Sequence, residues 1–467
     1  MIKAPHKWRG TFIMTSFRWK LTYQMPLLIS LRSGIKSQEK SCNFLLDFLW
    51  EYTMRRISSN MNNMNTQNAL RLQESRLNRA NNQMGSQNKI QELRNDPIAA
   101  GHLVRYQSYL GRVNTFEKNA ETLTDQFVLR EGYMSSSLEI MQRIRDLAVT
   151  GANGIYQQED LSNMAMEVDE LLKELVQNAN AVSSDGNYLF AGTNTKSTAF
   201  EIEMGNVAGS GIPLIESVKY NGNIDSNKIE VDENKYMNVD NAGNRTFWAE
   251  QQQIHGERDA SSWQASADSV ISVDGVHISI NAGDNVYALA AKINDSGAAV
   301  RASIDPVSRG LNLETTDARQ LWLSDVSGNA LNDLGIIKDS SQQPPYNIGN
   351  SARISGGSLF DTVIAFRNAL LKGDTETIGG RVLGGLDNGI ENLVSRIAKS
   401  GSDYERAVLN VTRNSATALH VTQAISREGD LDITKAITEM KMLDYAYQAT
   451  LSNAGKMYNN SLLNYMR

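Results

Sequence analysis

Both ends of the chain carry apolar residues at heptad spacing, with polar residues on the opposite face. Near the start, Leu70, Leu77 and Met84 recur every seven residues. Near the end, alternating steps of three and four residues place an apolar stripe on one helix face, and its members are Ile433, Ile437, Met440, Leu443, Tyr447, Leu451, Ala454 and Tyr458. This spacing predicts two amphipathic helices whose stripes pack against each other or against a neighbouring subunit.

The stretches inside these ends predict further long helices. Proline breaks helix interiors, and none occurs between Pro97 and Pro213 or after Pro345. Apolar periodicity predicts a helix of about 45 residues that stops near Gly151, followed by helices over 161–182, 358–371 and 386–425. Helices well above the usual mean of about 11 residues indicate a rod.

Four glycines precede the last of these helices, namely Gly379, Gly380, Gly384 and Gly385. A phosphate-binding loop is excluded, because no strand precedes them and no Gly-Lys-Ser or Gly-Lys-Thr follows. We therefore expect a linker or hinge at this point.

The middle of the chain has a different pattern. Between residues 200 and 357, short alternating runs are separated by Gly, Asn, Asp and Ser. Asp274-Gly275, set between two β-branched runs, predicts a hairpin over 270–280. A short helix over 286–293 and strands over 299–304 and 310–314 indicate an inserted α+β domain.

The predicted fold class is mainly α: a long helical rod is formed by the N- and C-terminal segments together, with the α+β domain inserted in the middle. The predicted segments are an extension over 1–53, an assembly segment over 54–100, the first half of the rod over 101–199, a β-rich outer domain over 200–357, the second half of the rod over 358–427 and a second assembly segment over 428–467.

The first 53 residues differ in kind from the rest. They are basic, rich in tryptophan and aperiodic. A weak signal peptide is one reading, but the apolar core is short and no convincing small-residue cleavage site follows. We interpret the extension as non-native or disordered, with biological translation beginning at Met54.

Charge and chemistry exclude several classes of function. The net charge of −6 argues against a nucleic-acid-binding surface. No apolar run reaches the length of a membrane span. The five histidines are scattered and Cys42 is the only cysteine, so we expect neither a metal site nor a cofactor. Asp225, Glu230, Asp232 and Glu233 lack the spacing of a calcium loop, and no catalytic constellation supports an enzyme.

One segment carries a specific family resemblance. Residues 183–195 read Ser-Ser-Asp-Gly-Asn-Tyr-Leu-Phe-Ala-Gly-Thr-Asn-Thr. They closely resemble the signature of the hook-associated protein 3 family, within the flagellin superfamily. The motif residues are Asn187, Tyr188, Leu189, Phe190, Ala191 and Gly192.

Further segments are similar to the same superfamily. They are residues 145–154, residues 95–100, the acidic segment 425–432, the closing residues 462–467 and the stretch 271–313, which resembles the flagellin insertion repeat. Asn95 stands where the family has its first acidic residue, and residues 84–89 replace the usual Ser-Ser-Gly.

The resemblance implies a structural subunit of the bacterial flagellum, with no enzymatic activity, acting as an adaptor at the hook–filament junction. It implies polymerisation through coiled-coil packing of the terminal helices, which we expect to be largely disordered before assembly. The implied location is the flagellum after type III export, outside the cell or in the periplasm if the flagellum is internal.

The implied partners are copies of the chain in a ring, a neighbouring hook-associated protein, flagellin filament subunits, an export chaperone and the flagellar export apparatus, with neither nucleic acid nor membrane. The alternative is a flagellin-type filament subunit. Copy number separates the two, since a junction ring needs few subunits and a filament needs many.

Overall fold

The computed structural model describes residues 59–239 and 242–463. Its chain divides into two units, one containing residues 59–86 and 432–463 and the other containing residues 87–431. The extension 1–53 and the start at Met54 lie outside the described residues, and so do the side chain of Tyr458 and the closing residues 464–467.

Helices make up most of the described chain. In chain order they are α1 (Ser59–Ser86), α2 (Pro97–Ala152), α3 (Gln158–Ala179), α4 (Gly243–Thr246), α5 (Val286–Asp295), α6 (Ala330–Asp333), α7 (Leu359–Lys372), α8 (Thr375–Thr377), α9 (Leu383–Gly429) and α10 (Ile433–Leu463). A π-helical segment, Ile378–Val382, lies between α8 and α9.

The strands lie between α3 and α7. They are β1 (Phe200–Gly205), β2 (Leu214–Tyr220), β3 (Lys228–Asp232), β4 (Lys235–Asn238), β5 (Gln253–Gly256), β6 (Ser269–Val273), β7 (Val276–Ile280), β8 (Val300–Ile304), β9 (Leu311–Thr315), β10 (Leu323–Ser327) and β11 (Ala352–Ser355).

The longest helices, α2 and α9, pack along each other. They are antiparallel: Arg145 bonds Asp387 near one end of the pair, and Gly429 lies against Leu103 near the other. Their apolar periodicity buries one face of each helix, as a helix without proline in its interior allows. A mainly helical chain with a separate β-containing region was predicted from the sequence and is present.

The glycine-rich stretch before α9 is helical, and the predicted linker is wrong. Gly379 and Gly380 lie in the π-helical segment, which runs directly into α9. A Cβ on Gly385 would lie 2.9 Å from the Thr362 side chain, and one on Gly389 would lie 2.3 Å from Leu359. The glycines at 385 and 389 therefore let α9 approach α7 closely.

The largest core joins the helices to residues that the sequence assigned to the inserted domain. It combines the second half of α2 with α3, α7 and the β1–β2 pair. Phe200, Tyr220 and Phe247 are at most 2% exposed within it. Residues 200–239 and 242–249 therefore lie with the helices, and the compact inserted part begins near residue 250 rather than at residue 200.

We call residues 250–357 the inserted lobe. It contains one antiparallel sheet in the order β10-β6-β7 and another in the order β11-β5-β9-β8, and its own apolar core includes α5. The predicted hairpin at Asp274-Gly275 is the β6–β7 connection, and both turn residues have positive φ, 51° and 84°. The lobe closes at its base, where the Ala249 and Glu250 amides donate to the Gly357 carbonyl.

A second hairpin, β3–β4, packs on α2 and α9. Val231 and Met237 are buried with Leu123 and Phe127 of α2. The side chains of Asn119 and Asn414 donate to carbonyls of β3 at 2.9 and 3.0 Å. The acidic stretch that was weighed as a calcium loop is thus largely this hairpin, where Asp232 pairs with Lys235 at 2.5 Å.

Candidate assembly surfaces

The two terminal helices, α1 and α10, pack against each other. On α1 the half-buried residues follow steps of three and four, and they are Asn63, Thr66, Leu70, Gln73, Leu77, Ala80, Gln83 and Met84. Leu70, Leu77 and Met84, the three residues predicted at heptad spacing, all lie on this half-buried face. Several positions between them are polar, so this seam buries little apolar surface.

Among these seam residues, Gln73 has incomplete hydrogen bonding. Its side-chain carbonyl oxygen is buried and has no hydrogen-bond partner within the described part of the chain. A buried acceptor without a donor costs about 1–3 kcal/mol. The α1–α10 seam is therefore weak by composition and by hydrogen bonding.

On α10 only part of the predicted stripe faces α1. Met440, Leu443 and Tyr447 are half-buried and Ala454 is 7% exposed. The inward face is completed by Ala436, Ala446 and Thr450. Sequence reasoning left out Ala446 and Thr450, because the choice between adjacent heptad positions depends on the angle of the partner helix.

The remaining predicted stripe residues face outward. Ile433, Ile437 and Leu451 are 52%, 37% and 45% exposed. At 100° per residue these three positions share one strip of α10 beside the packed face. We call them the outer strip. α10 therefore carries two adjacent apolar strips, and within the described chain α1 packs on only one of them.

The family-signature segment is part of the core rather than the surface. Leu189, Phe190 and Ala191 are at most 4% exposed. The Phe190 ring meets Phe247 edge to face at 5.1 Å, and the Gly243 amide donates to the Phe190 carbonyl at 2.8 Å. The segment links the end of α3 to the aromatic core, so its buried residues contribute to the stability of the fold.

Gly192 closes this turn. Its φ is +66°, and a Cβ there would lie 2.2 Å from the Asn223 side chain. Asn223 accepts a hydrogen bond from the Thr193 amide at 2.8 Å. Only glycine fits such a close approach at positive φ. Asn187 and Tyr188 are half-buried at the start of the turn.

The family-like segment 95–100 is a helix start. The Asp96 side chain accepts a hydrogen bond from the Ala99 amide at 3.0 Å, and Pro97 occupies the first turn of α2. An N-cap aspartate followed by proline is a favoured way to begin a helix. The substitution at Asn95 leaves this cap intact.

The acidic segment 425–432 contains the end of α9 and the short connection to α10. The Leu431 amide donates to the Gln87 carbonyl at 2.9 Å and the Lys89 amide donates to the Gly429 carbonyl at 2.8 Å. Asp432 accepts from the Lys435 amide at 3.1 Å and caps α10. Asp96 at the start of α2 and Asp432 at the start of α10 therefore both act as helix caps.

Arginine 145, in the family-like segment 145–154, joins the two long helices. Its Nε lies 2.6 Å from the Asp387 carboxylate, and this hydrogen bond raises the pKa of Arg145. Both side chains are more than 40% exposed, so solvent screening keeps the stabilisation small.

Other candidate chemistry is limited in the described chain. Among residues 59–239 and 242–463, no group of three or more His, Cys, Asp or Glu side chains is placed to hold a metal ion. None of the described helices combines the length and apolar character that crossing a bilayer requires.

Two family models match the chain. Residues 57–195 match the bacterial flagellin N-terminal helical region, and residues 266–317 match the flagellin hook IN motif. The second match falls on the segment that resembled the flagellin insertion repeat. Both matched segments are therefore similar to proteins of the flagellin superfamily.

Curated relatives of two kinds are similar to this chain. Flagellar hook-associated protein 3 of Escherichia coli is 25% identical over 165 residues, covering 35% of this chain and 48% of that protein. A flagellar filament 31.3 kDa core protein of Treponema maltophilum is 29% identical, covering 24% of this chain and 38% of that protein. These matches span about half or less of each relative's length.

One further relative matches over most of its length. Flagellin A of Vibrio anguillarum is 23% identical over 418 residues, covering 87% of this chain and 98% of that protein. Among solved structures, the flagellar junction protein FlgL from Legionella pneumophila aligns with 71% of this chain and 100% of that chain at 16% identity, with a TM-score of 0.41. A score at this level does not establish a common fold.

Proposed function

We propose that this chain is a non-enzymatic structural subunit of the bacterial flagellum that acts as an adaptor at the hook–filament junction. The observation that carries the proposal is the pair of adjacent apolar strips on α10, one packed on α1 and one exposed. The resemblance to hook-associated protein 3 supports the same role.

The chemistry of the seam favours assembly over autonomous stability. Ordering a residue costs about 1–2 kcal/mol in backbone entropy, and the partly polar α1–α10 seam recovers only part of it. Covering the outer strip, Ile433, Ile437 and Leu451, with another helix would add the missing apolar burial. We infer that this helix comes from a neighbouring subunit.

The proposed partners follow from that role. They are further copies of this chain in a ring, the adjacent hook-associated protein, flagellin subunits, an export chaperone and the flagellar export apparatus. The proposed location is the flagellum, outside the cell or in the periplasm.

A filament subunit is the second candidate, and the long match to Flagellin A favours it. Gold-labelled antibody against this chain separates the two. A junction adaptor gives label at one point per flagellum, between hook and filament, whereas a filament subunit gives label along its whole length. Label along the filament would replace the adaptor role with the second candidate.

Two aspartate substitutions, one in the outer strip and one in the α1–α10 seam, test the assembly surface. We expect Leu451→Asp, in the outer strip, to leave the chain folded and exported but absent from the flagellum, so that filament protein accumulates unassembled. Leu443→Asp, in the seam, should also loosen the α1–α10 pair itself, because a charge in a packed seam costs several kcal/mol.

The matched control is Asn453→Asp, which adds the same charge at an exposed polar position of α10. It should assemble normally. Electron microscopy of cells and immunoblots of the medium and periplasm give the readout. Normal flagella with Leu451→Asp would show that the outer strip does not make the joint.

A further inference from the structure

The inserted lobe meets the helical core at a polar joint. The chain crosses it twice, at residues 249–250 and at residue 357, and these crossings are hydrogen-bonded to each other. The β6–β7 turn reaches back to the core side of the joint, where Gly275 lies against Ile224. Trp322, 8% exposed, extends from the lobe into the apolar cluster of the helical core.

Five charged side chains from four parts of the chain run across this joint. Asp274, in the β6–β7 turn, accepts from Arg245 at 3.3 Å and also from Arg319. Arg319 pairs in turn with Asp317. Asp317 then accepts from Arg396 of α9 at 3.1 Å. The chain of ion pairs therefore connects the lobe to the core at Arg245 and to α9 at Arg396.

Hydrogen bonds to main-chain atoms complete the joint. The Asn392 side chain of α9 donates to the carbonyls of Arg245 and Trp248 at 3.1 and 2.7 Å. The Gln320 amide donates to the Asn244 carbonyl at 3.0 Å. The Asn392 bonds hold the core side of the joint in place, whereas the Gln320–Asn244 bond crosses the joint and constrains the direction as well as the distance of the lobe.

The central carboxylate is held at an energetic cost. Asp274 is 4% exposed and Arg319 is 6% exposed. Burial raises the pKa of Asp274, while the charges of Arg245 and Arg319 act in the opposite direction. Where burial outweighs pairing, a buried ion pair contributes little net stability.

Several buried polar atoms at the joint are only partly satisfied. Within the described chain, hydrogen-bond partners are absent for Asn244 Oδ1, Arg245 Nε, Trp248 Nε1, Asp274 Oδ1, Gln320 Oε1 and Arg396 Nε. A partly satisfied polar network holds its arrangement less tightly than an apolar core does. The inserted lobe and the helical core each have their own apolar cluster, so each can stay folded when the joint is altered.

We propose that Arg245, Asp274, Arg319, Asp317 and Arg396 form a lock that fixes the inserted lobe in one orientation on the helical core. Neutralising Asp274 opens the lock and lets the lobe turn as a folded unit. The lock belongs to the inserted lobe and its function does not depend on the assembly role of the terminal helices.

Distance measurement between two spin labels tests the lock in the full chain. Cysteines replace Val307, 89% exposed in the lobe, and Glu405, exposed on α9, with the native Cys42 changed to serine. The parent should give one narrow distance distribution. Asp274→Asn should broaden it roughly twofold or more while both parts stay folded, with any fall in melting temperature confined to the inserted lobe, where Arg319 loses a buried partner.

Asp284→Asn is the matched control, because Asp284 pairs with Lys292 inside the same lobe, and it should leave the distribution narrow. Arg396→Met removes only the link to α9 and should broaden the distribution by an intermediate amount; it decides the question if Asp274→Asn does not fold. A broad distribution in the parent, equal broadening in the control, or a narrow one in the folded Asp274→Asn or Arg396→Met protein would overturn the lock.

Discussion

The α1–α10 pair and the aromatic core at the end of α3 are both built from regular, amphipathic elements, yet they differ in how completely their side chains are buried. In the aromatic core, Phe200 and Phe247 are at most 2% exposed and each packs on three other rings at 5.0–5.8 Å. In the terminal pair most seam residues are half-buried and several are polar. A helical pattern therefore predicts a helix well, whereas the surroundings decide whether that helix is stable by itself.

Limited proteolysis tests this contrast most directly. Trypsin should cut at Arg71, Arg76, Lys435 and Lys441 in α1 and α10 at least about tenfold faster than within α2 or α9, because cleavage follows local opening. Mass mapping of the purified chain identifies the cuts. Equal protection of both regions would remove the distinction between a weak terminal pair and a stable core.

Truncation of a core ring should have a large effect on stability. Phe247→Ala removes the contacts of a fully buried ring and should lower the free energy of unfolding by about 3–5 kcal/mol. Urea denaturation followed by circular dichroism measures the change. The control, Tyr287→Ala, removes a ring that is 62% exposed and should change stability by less than about 0.5 kcal/mol; similar losses in both would contradict the assigned core.

Two deletions separate the inserted lobe from the core. Removing residues 251–356 with a short glycine linker should leave the rest folded and abolish one unfolding transition, because the crossings at Ala249 and Gly357 are already hydrogen-bonded. Removing residues 200–350 should unfold the core, because it takes away Phe200, Tyr220 and Phe247. Calorimetry distinguishes the outcomes, and a folded core after the larger deletion would show that β1 and β2 are dispensable.

The smallest expected effect lies in the seam of the terminal pair. Gln73→Leu replaces a buried carbonyl oxygen that has no hydrogen-bond partner among the described residues with apolar surface, and should stabilise the α1–α10 pair by about 1 kcal/mol. Slower tryptic cleavage at Arg71 and Arg76 is the measurement. Gln67→Leu, at an exposed position of α1, is the control, and equal slowing there would assign the effect to helix propensity.

The sequence alone determined the local features of this protein. Apolar periodicity, together with the lack of proline, predicted the long helices, since helix formation depends on residues three and four apart. Asp274-Gly275 gave the β6–β7 turn, because the turn needs two residues with positive φ. The motif residues 187–192 and the insertion repeat indicated similarity to the flagellin superfamily, and both lie within segments that flagellin family models match.

The tertiary structure decided what depends on residues distant in the chain. It placed residues 200–239 and 242–249 with the helical core, because the rings of Phe190, Phe200 and Phe247 meet only after the chain has folded. It made Gly385, which was predicted to lie in a hinge, a packing position, and it did the same for Gly389, which the sequence had not singled out. Which strip of α10 is buried, and which charged groups meet Asp274, also follow from helix angles and lobe placement, which no local pattern encodes.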